Sequence, residues 1–269
     1  MNVRLRLRQP PDLRLDLREL TPARLATLDP AAIERLPLAQ GRQMLALGEF
    51  FDVMPAGDGA TLVFEGDLSR CDRVGWQMEA GTLVVEGHVG DHAGAGMRAG
   101  ALWVHGSSGL LTGCEMAGGH LEVQGDVGDF AASAQPGSMD GMRGGTLLVR
   151  GKVGARCGDR MRRGTVLVFG NAGDFFASRL VAGTLALAGR AGAHAGYGMR
   201  RGSLVFAGAA PAIAPTFVAA IADAPVMWQL LARDLARHGG AFADLPARRV
   251  QRQLGDLAAG GQGELILAA

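Results

Sequence analysis

Arginine supplies nearly all the basic charge of this chain, at a spacing that would gather its guanidinium groups. Arg98, Arg143, Arg162 and Arg200 each follow a residue of one recurring column, and Arg163 and Arg201 stand one place further along. A guanidinium is a rigid fork of donors suited to carboxylate or phosphate, so these six along one edge would meet an anionic ligand or partner. The plainer reading is solvated surface arginine, and the near absence of lysine (Lys152 is the only one) fits the codon bias of a GC-rich genome.

The remaining reactive side chains do not assemble into a centre. His88 and His92 are four apart but fall on a turn between strands, where helical metal-ligand spacing does not apply. Asp91, Asp129 and Asp174 share a column in which Leu110, Ala155 and Ala193 alternate with them, leaving the carboxylates about 10 Å apart at two strand spacings. That is too wide for a shared proton or ion. Cys71, Cys114 and Cys157 form no Cys-x-x-Cys pair, which argues against a disulfide framework or a metal cluster and for a reduced, cytoplasmic setting. Gly94-Ala-Gly96 has no Walker lysine near it, and no Gly-x-Ser-x-Gly or Cys/His nucleophile stands out. The chain is expected to hold no catalytic residue and no metal site.

A repeat must position these residues. Gly81, Gly100, Gly119, Gly145, Gly164, Gly183 and Gly202 precede Leu-x-Val-like runs with steps of 19, 19, 26, 19, 19 and 19. A second glycine column, Gly87 to Gly208, repeats those steps, and a third, Gly90 to Gly192, follows three places behind it until the pattern stops. Between glycines lie short runs with period-two alternation, such as Thr82-Leu-Val-Val-Glu86, which read as strands. Each repeat is too small to bury its own Leu and Val, so stacking must make the core. The fold class is therefore all-β, a right-handed parallel β-helix of about seven 19-residue coils over 59–208, with an N-terminal cap over 1–58 and a C-terminal cap and tail strand over 209–269. The Gly59–Gly66 run reads as a degenerate preceding coil. Glycine at fixed corners serves bends with positive φ, or places with no room for a Cβ.

Two inward columns, Leu83 to Leu204 and Val85 to Phe206, are wholly apolar. The outward column between them, Val84, Trp103, Glu122, Leu148, Leu167, Ala186 and Val205, is also apolar at six of seven places. Something should cover it, either a helix over Pro225–His238 from the same chain or a subunit interface centred on Trp103. The column that opens each coil, Met78, Met97, Met116, Met142, Met161, Leu180 and Met199, reads as packed corner side chains. The long step inserts seven residues around Ala132–Asp140, either a recognition loop or a tolerated insertion. Leu36–Val53 is expected to cap one end, and Glu264–Leu267 to form a last strand.

A formal net charge of +1 points to neither nucleic acid nor an anionic membrane. The first ten residues alternate like a strand and lack the h-region of a signal peptide. Gly202–Ala222 is uncharged, but Pro211 and Pro215 interrupt it, so no membrane span is expected.

The repeated Gly-x-Leu-x-Val-x-Gly-x-Val-Gly signature resembles the glycine-rich β-helix shared by glutamate synthase and the C subunit of formylmethanofuran dehydrogenase. The flanks Gly48-Glu-Phe-Phe-Asp-Val53, Leu254-Gly-Asp256 and Gly261-Gln-Gly-Glu264 resemble the latter family, and the arginine-rich, cysteine-poor chain is most similar to its bacterial version, the C subunit of the formyltransferase/hydrolase complex. The resemblance implies a cytoplasmic scaffold subunit in methylotrophic one-carbon metabolism. Its partners would be amidohydrolase-like, formyltransferase and dehydrogenase-B-like subunits, which move a formyl group from formyl-tetrahydromethanopterin to a methanofuran-type carrier and release formate. It implies no cofactor held covalently or catalytically by this chain. It also implies a glutamyl-tailed guest for Arg98, Arg143, Arg162, Arg163, Arg200 and Arg201. The C subunit of a molybdenum or tungsten formylmethanofuran dehydrogenase and a stand-alone glutamate-synthase-like β-helix remain open alternatives, whereas a polysaccharide-acting solenoid would need a carboxylate cluster and an aromatic platform.

Overall fold

The computed structural model describes residues 2–55, 60–220 and 225–268. Gly59 and the last two residues of the uncharged Gly202–Ala222 stretch lie outside them. The chain is mostly β, dominated by a 13-stranded sheet with few helices. Strands Thr61–Glu65, Thr82–Glu86, Ala101–Val104, Ala117–Val123, Arg143–Val149, Arg163–Val168, Thr184–Leu187 and Ser203–Phe206 follow one another in parallel. Leu62, Leu83, Leu102, Leu121, Leu147, Val166, Leu185 and Leu204 therefore sit in register, one per strand, and all are buried. A second ladder of parallel bridges runs Leu68, Val89, Ser108, Val127, Val153, Ala172, Ala191. Two ladders with the same step mean that each repeat lies over the one before it.

The termini extend this stack. Val3–Leu7 lies parallel to Thr61–Glu65, so the degenerate repeat at 61–65 is an ordinary member with a neighbour on each side. Phe51–Pro55 then closes that end antiparallel to Val3–Leu7. At the other end Gly263–Ala268 lies parallel to Ser203–Phe206, and Val250–Gly255 and Val218–Ala219 follow antiparallel. Strand direction therefore reverses at both ends of the sheet, and the edge at the C-terminal end is the two-residue strand Val218–Ala219, short as protected edges often are. Within the expected Leu36–Val53 cap, Pro37–Gln40 and Gln43–Ala46 belong to a separate four-stranded sheet with Leu15–Asp16 and Cys71–Asp72.

The glycine columns divide by cause. Gly119 has φ +82, in the left-handed region where a side chain is strained. Gly106 has an ordinary φ, but a Cβ there would meet the Gly87 carbonyl at 2.6 Å, so it is fixed by stacking distance alone.

The aspartate column has a structural task. Oδ1 of Asp91 accepts the Leu110 backbone N–H at 2.9 Å, Asp129 that of Ala155 at 2.7 Å, and Asp174 that of Ala193 at 2.8 Å. Each carboxylate thus ties its repeat to the next, as Asp72 also does to the Asp91 N–H at 2.9 Å. Asp129→Ala should cost about 1–3 kcal/mol by leaving the Ala155 donor unpaired, measured as a shifted urea midpoint.

Helix Pro225–Ala236 lies against the outward column over its second half. Trp228, Ala232 and Leu235, with Phe242 and Leu245, bury Leu148, Leu167, Ala186, Val205 and Ile266. The cover stops at Glu122, which is buried and held by Arg150 at 3.0 Å and Gln124 at 2.9 Å. Val84 and Trp103 remain half-buried, with the Trp103 ring 5.0 Å from that of His120.

Candidate functional site

Stacking places the coil-opening methionines inside and the residues after them outside. Met142, Met161, Leu180 and Met199 are fully buried, while Arg143, Arg162, Arg163, Arg200 and Arg201 are exposed. Arg143 and Arg163 are direct cross-strand partners where the strands shift register. The next repeat carries Val181 and Ala182 in place of the arginine pair, so two basic rungs flank an uncharged floor.

These residues line an open cleft of about 650 Å³. Its far wall is Ala259, Gly260 and Gln262, from the turn that follows Leu254-Gly-Asp256. Asp256 is buried; its Oδ2 accepts the Gly198 N–H and its Oδ1 the Ala258 N–H, each at 3.0 Å. The Gln262 N–H then donates to the Arg200 carbonyl at 2.6 Å, so this wall is pinned to the rung that carries Arg200 and Arg201.

Charge in the cleft is nearly all of one sign. Arg162 pairs with Asp140 at 2.5 Å, and Asp140 comes from the inserted segment, which Arg160 anchors through the Ser138 carbonyl at 2.7 Å. Among the described residues, Arg143, Arg163, Arg200 and Arg201 have no carboxylate partner. Arg98 stands apart: it pairs with Glu79 at 2.6 Å and does not line the cleft. Five of the six expected arginines are thus brought together. Gathered guanidinium groups repel one another, and an anion spanning the two rungs relieves that cost. The pattern did not single out Gln262 or the Val181–Ala182 floor. The flank Gly261-Gln-Gly-Glu264 was a visible signal, but its place against the cleft depends on a long-range contact.

The histidines singled out in the sequence have structural contacts. His88 Nδ1 accepts the Ser107 N–H at 2.9 Å, and the His92 ring packs edge-on to Trp76. No group of three His, Cys, Asp or Glu side chains that could hold a metal occurs among the described residues, nor is any described helix long and apolar enough to cross a membrane. Burial pushes the thiols of Cys71, Cys114 and Cys157 up to about 12. Native protein at pH 8 should therefore react negligibly with a thiolate-selective disulfide reagent, and all three thiols should titrate once denaturant is added.

Among the described residues, the arginine cleft is lined by Arg143, Arg162, Arg163, Arg200 and Arg201 beside a repeat of stacked glycines, a surface suited to holding an anion. Comparison with known proteins gives a family. No family model matches the chain. The C subunit of the formyltransferase/hydrolase complex of Methylorubrum extorquens is 43% identical over 86 residues, covering 32% of each chain. The C subunit of the tungsten-containing formylmethanofuran dehydrogenase 2 of Methanothermobacter wolfeii is 29% identical over 93 residues, 33% of this chain and 34% of that one. The corresponding subunit of the molybdenum-containing formylmethanofuran dehydrogenase 1 of Methanosarcina barkeri is 34% identical over 85 residues, 30% and 28% of the two chains. In these alignments the chain spans about a third of each curated relative's length.

The structural match is far broader. A chain of the crystal structure of the Methylorubrum extorquens formyltransferase/hydrolase complex with methylofuran superposes with a TM-score of 0.92 and 40% identity, covering 99% of both chains. The protein belongs to the C-subunit family of formyltransferase/hydrolase and formylmethanofuran dehydrogenase complexes.

Proposed function

We propose that this chain is the non-catalytic scaffold subunit of a cytoplasmic formyltransferase/hydrolase complex in one-carbon metabolism linked to tetrahydromethanopterin and methanofuran. The observation that carries the reading is the 40% identity maintained over 99% of both chains in the structural match. The stacked body supports the role, because a continuous aliphatic interior gives a rigid brace. Parallel crossovers in one sheet are right-handed in about 98% of cases, which supports winding as a right-handed β-helix over 59–208 with caps at 1–58 and 209–269.

Partners under this reading are amidohydrolase-like, formyltransferase and dehydrogenase-B-like subunits, which hold the reacting groups. The arginine cleft contributes binding only: its guanidinium groups would hold carboxylates of a methanofuran-type glutamyl tail. Affinity purification of the native chain should recover those three subunits, identified by mass spectrometry. Recovery as a lone monomer would contradict the proposal, and partners rich in cysteine clusters would turn it toward the molybdenum or tungsten dehydrogenase.

A further inference from the structure

Beside the arginine cleft, across the Gly183 and Gly202 corner, lies a second surface that the cleft does not use. Thr184 and Ser203 follow those two glycines and form the floor of a shallow groove of about 590 Å³, walled by Val226, Met227, Leu230 and Leu231 of the C-terminal helix. The helix buries Trp228, Ala232 and Leu235 against the sheet, and Met227 and Leu231 are partly buried against the same core. Val226 and Leu230 are nevertheless 72% and 65% exposed. Neighbouring large aliphatic side chains left this open on a folded surface mark an interaction site.

Charge states what the occupant must carry. On the helix Arg233 follows Leu230 by three residues and has no carboxylate partner among the described residues, while Arg237, in the turn after the helix, pairs with Asp234 at 3.5 Å. At the other margin Arg201 precedes Ser203 by two residues, about 7 Å of chain at most. An apolar groove between two basic margins complements a segment with aliphatic or aromatic side chains at its centre and carboxylates beside them.

We infer that this groove is the docking site for an acidic, amphipathic segment of a partner subunit, which would place the arginine cleft at a subunit boundary. The inference rests on the assembly reading and adds to it the surface and chemistry of one contact.

A photo-crosslinking amino acid in place of Leu230, in the native assembly, should join this chain to a different subunit, through a peptide that carries Asp or Glu beside apolar residues. Leu230→Glu should lower recovery of that same subunit at least tenfold, and Arg233→Glu several-fold, with the melting temperature of the isolated chain unchanged because both side chains are exposed. Full recovery with Leu230→Glu, a crosslink to a second copy of this chain, or a crosslinked peptide without carboxylates would overturn the inference while leaving the scaffold role intact. If the unsubstituted chain recovers no partner, both readings fall together.

Discussion

Leu121→Ala is expected to lower the unfolding free energy by about 2–5 kcal/mol, the cost of removing a fully buried leucine when its surroundings cannot close. Leu121 is fully buried, in register between Leu102 and Leu147. Its Cδ2 also lies 2.7 Å from where a Cβ on Gly94 would stand, so it packs into space that glycine leaves free two repeats earlier. Collapse around the cavity is opposed by the stacked backbones on both sides. Equilibrium urea unfolding followed by circular dichroism measures the effect. Leu110→Ala, at an exposed site, should stay within about 0.5 kcal/mol. Equal effects from the two substitutions would mean that stacked aliphatic layers are not what holds the body together.

The second large effect concerns the cleft. Each guanidinium removed from a carboxylate ligand should cost about 1.4 kcal/mol, a tenfold loss of affinity. Arg163→Ala combined with Arg200→Ala should therefore weaken binding of a γ-glutamyl oligomer about a hundredfold. Arg98→Ala should leave it unchanged, because Arg98 is held by Glu79 away from the cleft. Titration calorimetry at two salt concentrations is the check, with affinity falling as salt rises. Unchanged affinity in the double variant would remove the cleft from the cofactor's path and leave the scaffold role standing.

The repeat was legible because its signal is geometric. Leu83 to Leu204 and Val85 to Phe206 recur at the step of the glycines, and a side chain facing a shared interior has few alternatives. The gathering of Arg143, Arg162, Arg163, Arg200 and Arg201 followed from the same arithmetic. Another corner was not legible. Arg73, His92, Leu111, Phe130, Arg156, Phe175 and His194 all take φ near +60, although their residue types have nothing in common. Left-handed backbone costs a non-glycine residue about 1–2 kcal/mol, and here cross-repeat hydrogen bonds hold it, as from the Phe130 N–H to the Ala155 carbonyl at 2.8 Å. A conformation imposed by neighbours leaves little mark on local sequence.

The cover over the outward column was half legible. A helix over Pro225–His238 follows from its apolar spacing, and the structure forms it over Pro225–Ala236, but where its cover stops does not follow. Glu122 marks the limit in retrospect, as the polar member of an otherwise apolar column, at the place where cover gives way to the half-buried Trp103. The far wall of the cleft was hidden for a related reason. Gln262 meets Arg200 only because the last strand, Gly263–Ala268, joins the stack beside Ser203–Phe206.

The scaffold claim is tested most directly by measuring formate release from formyl-tetrahydromethanopterin in the presence of methanofuran-type carrier, with this chain alone, with the partner subunits alone, and with all of them combined. The expected result is no formate from this chain alone, and full turnover only when it joins its partners in one assembly. Formate release by the isolated chain, or undiminished turnover by the partners without it, would contradict the account.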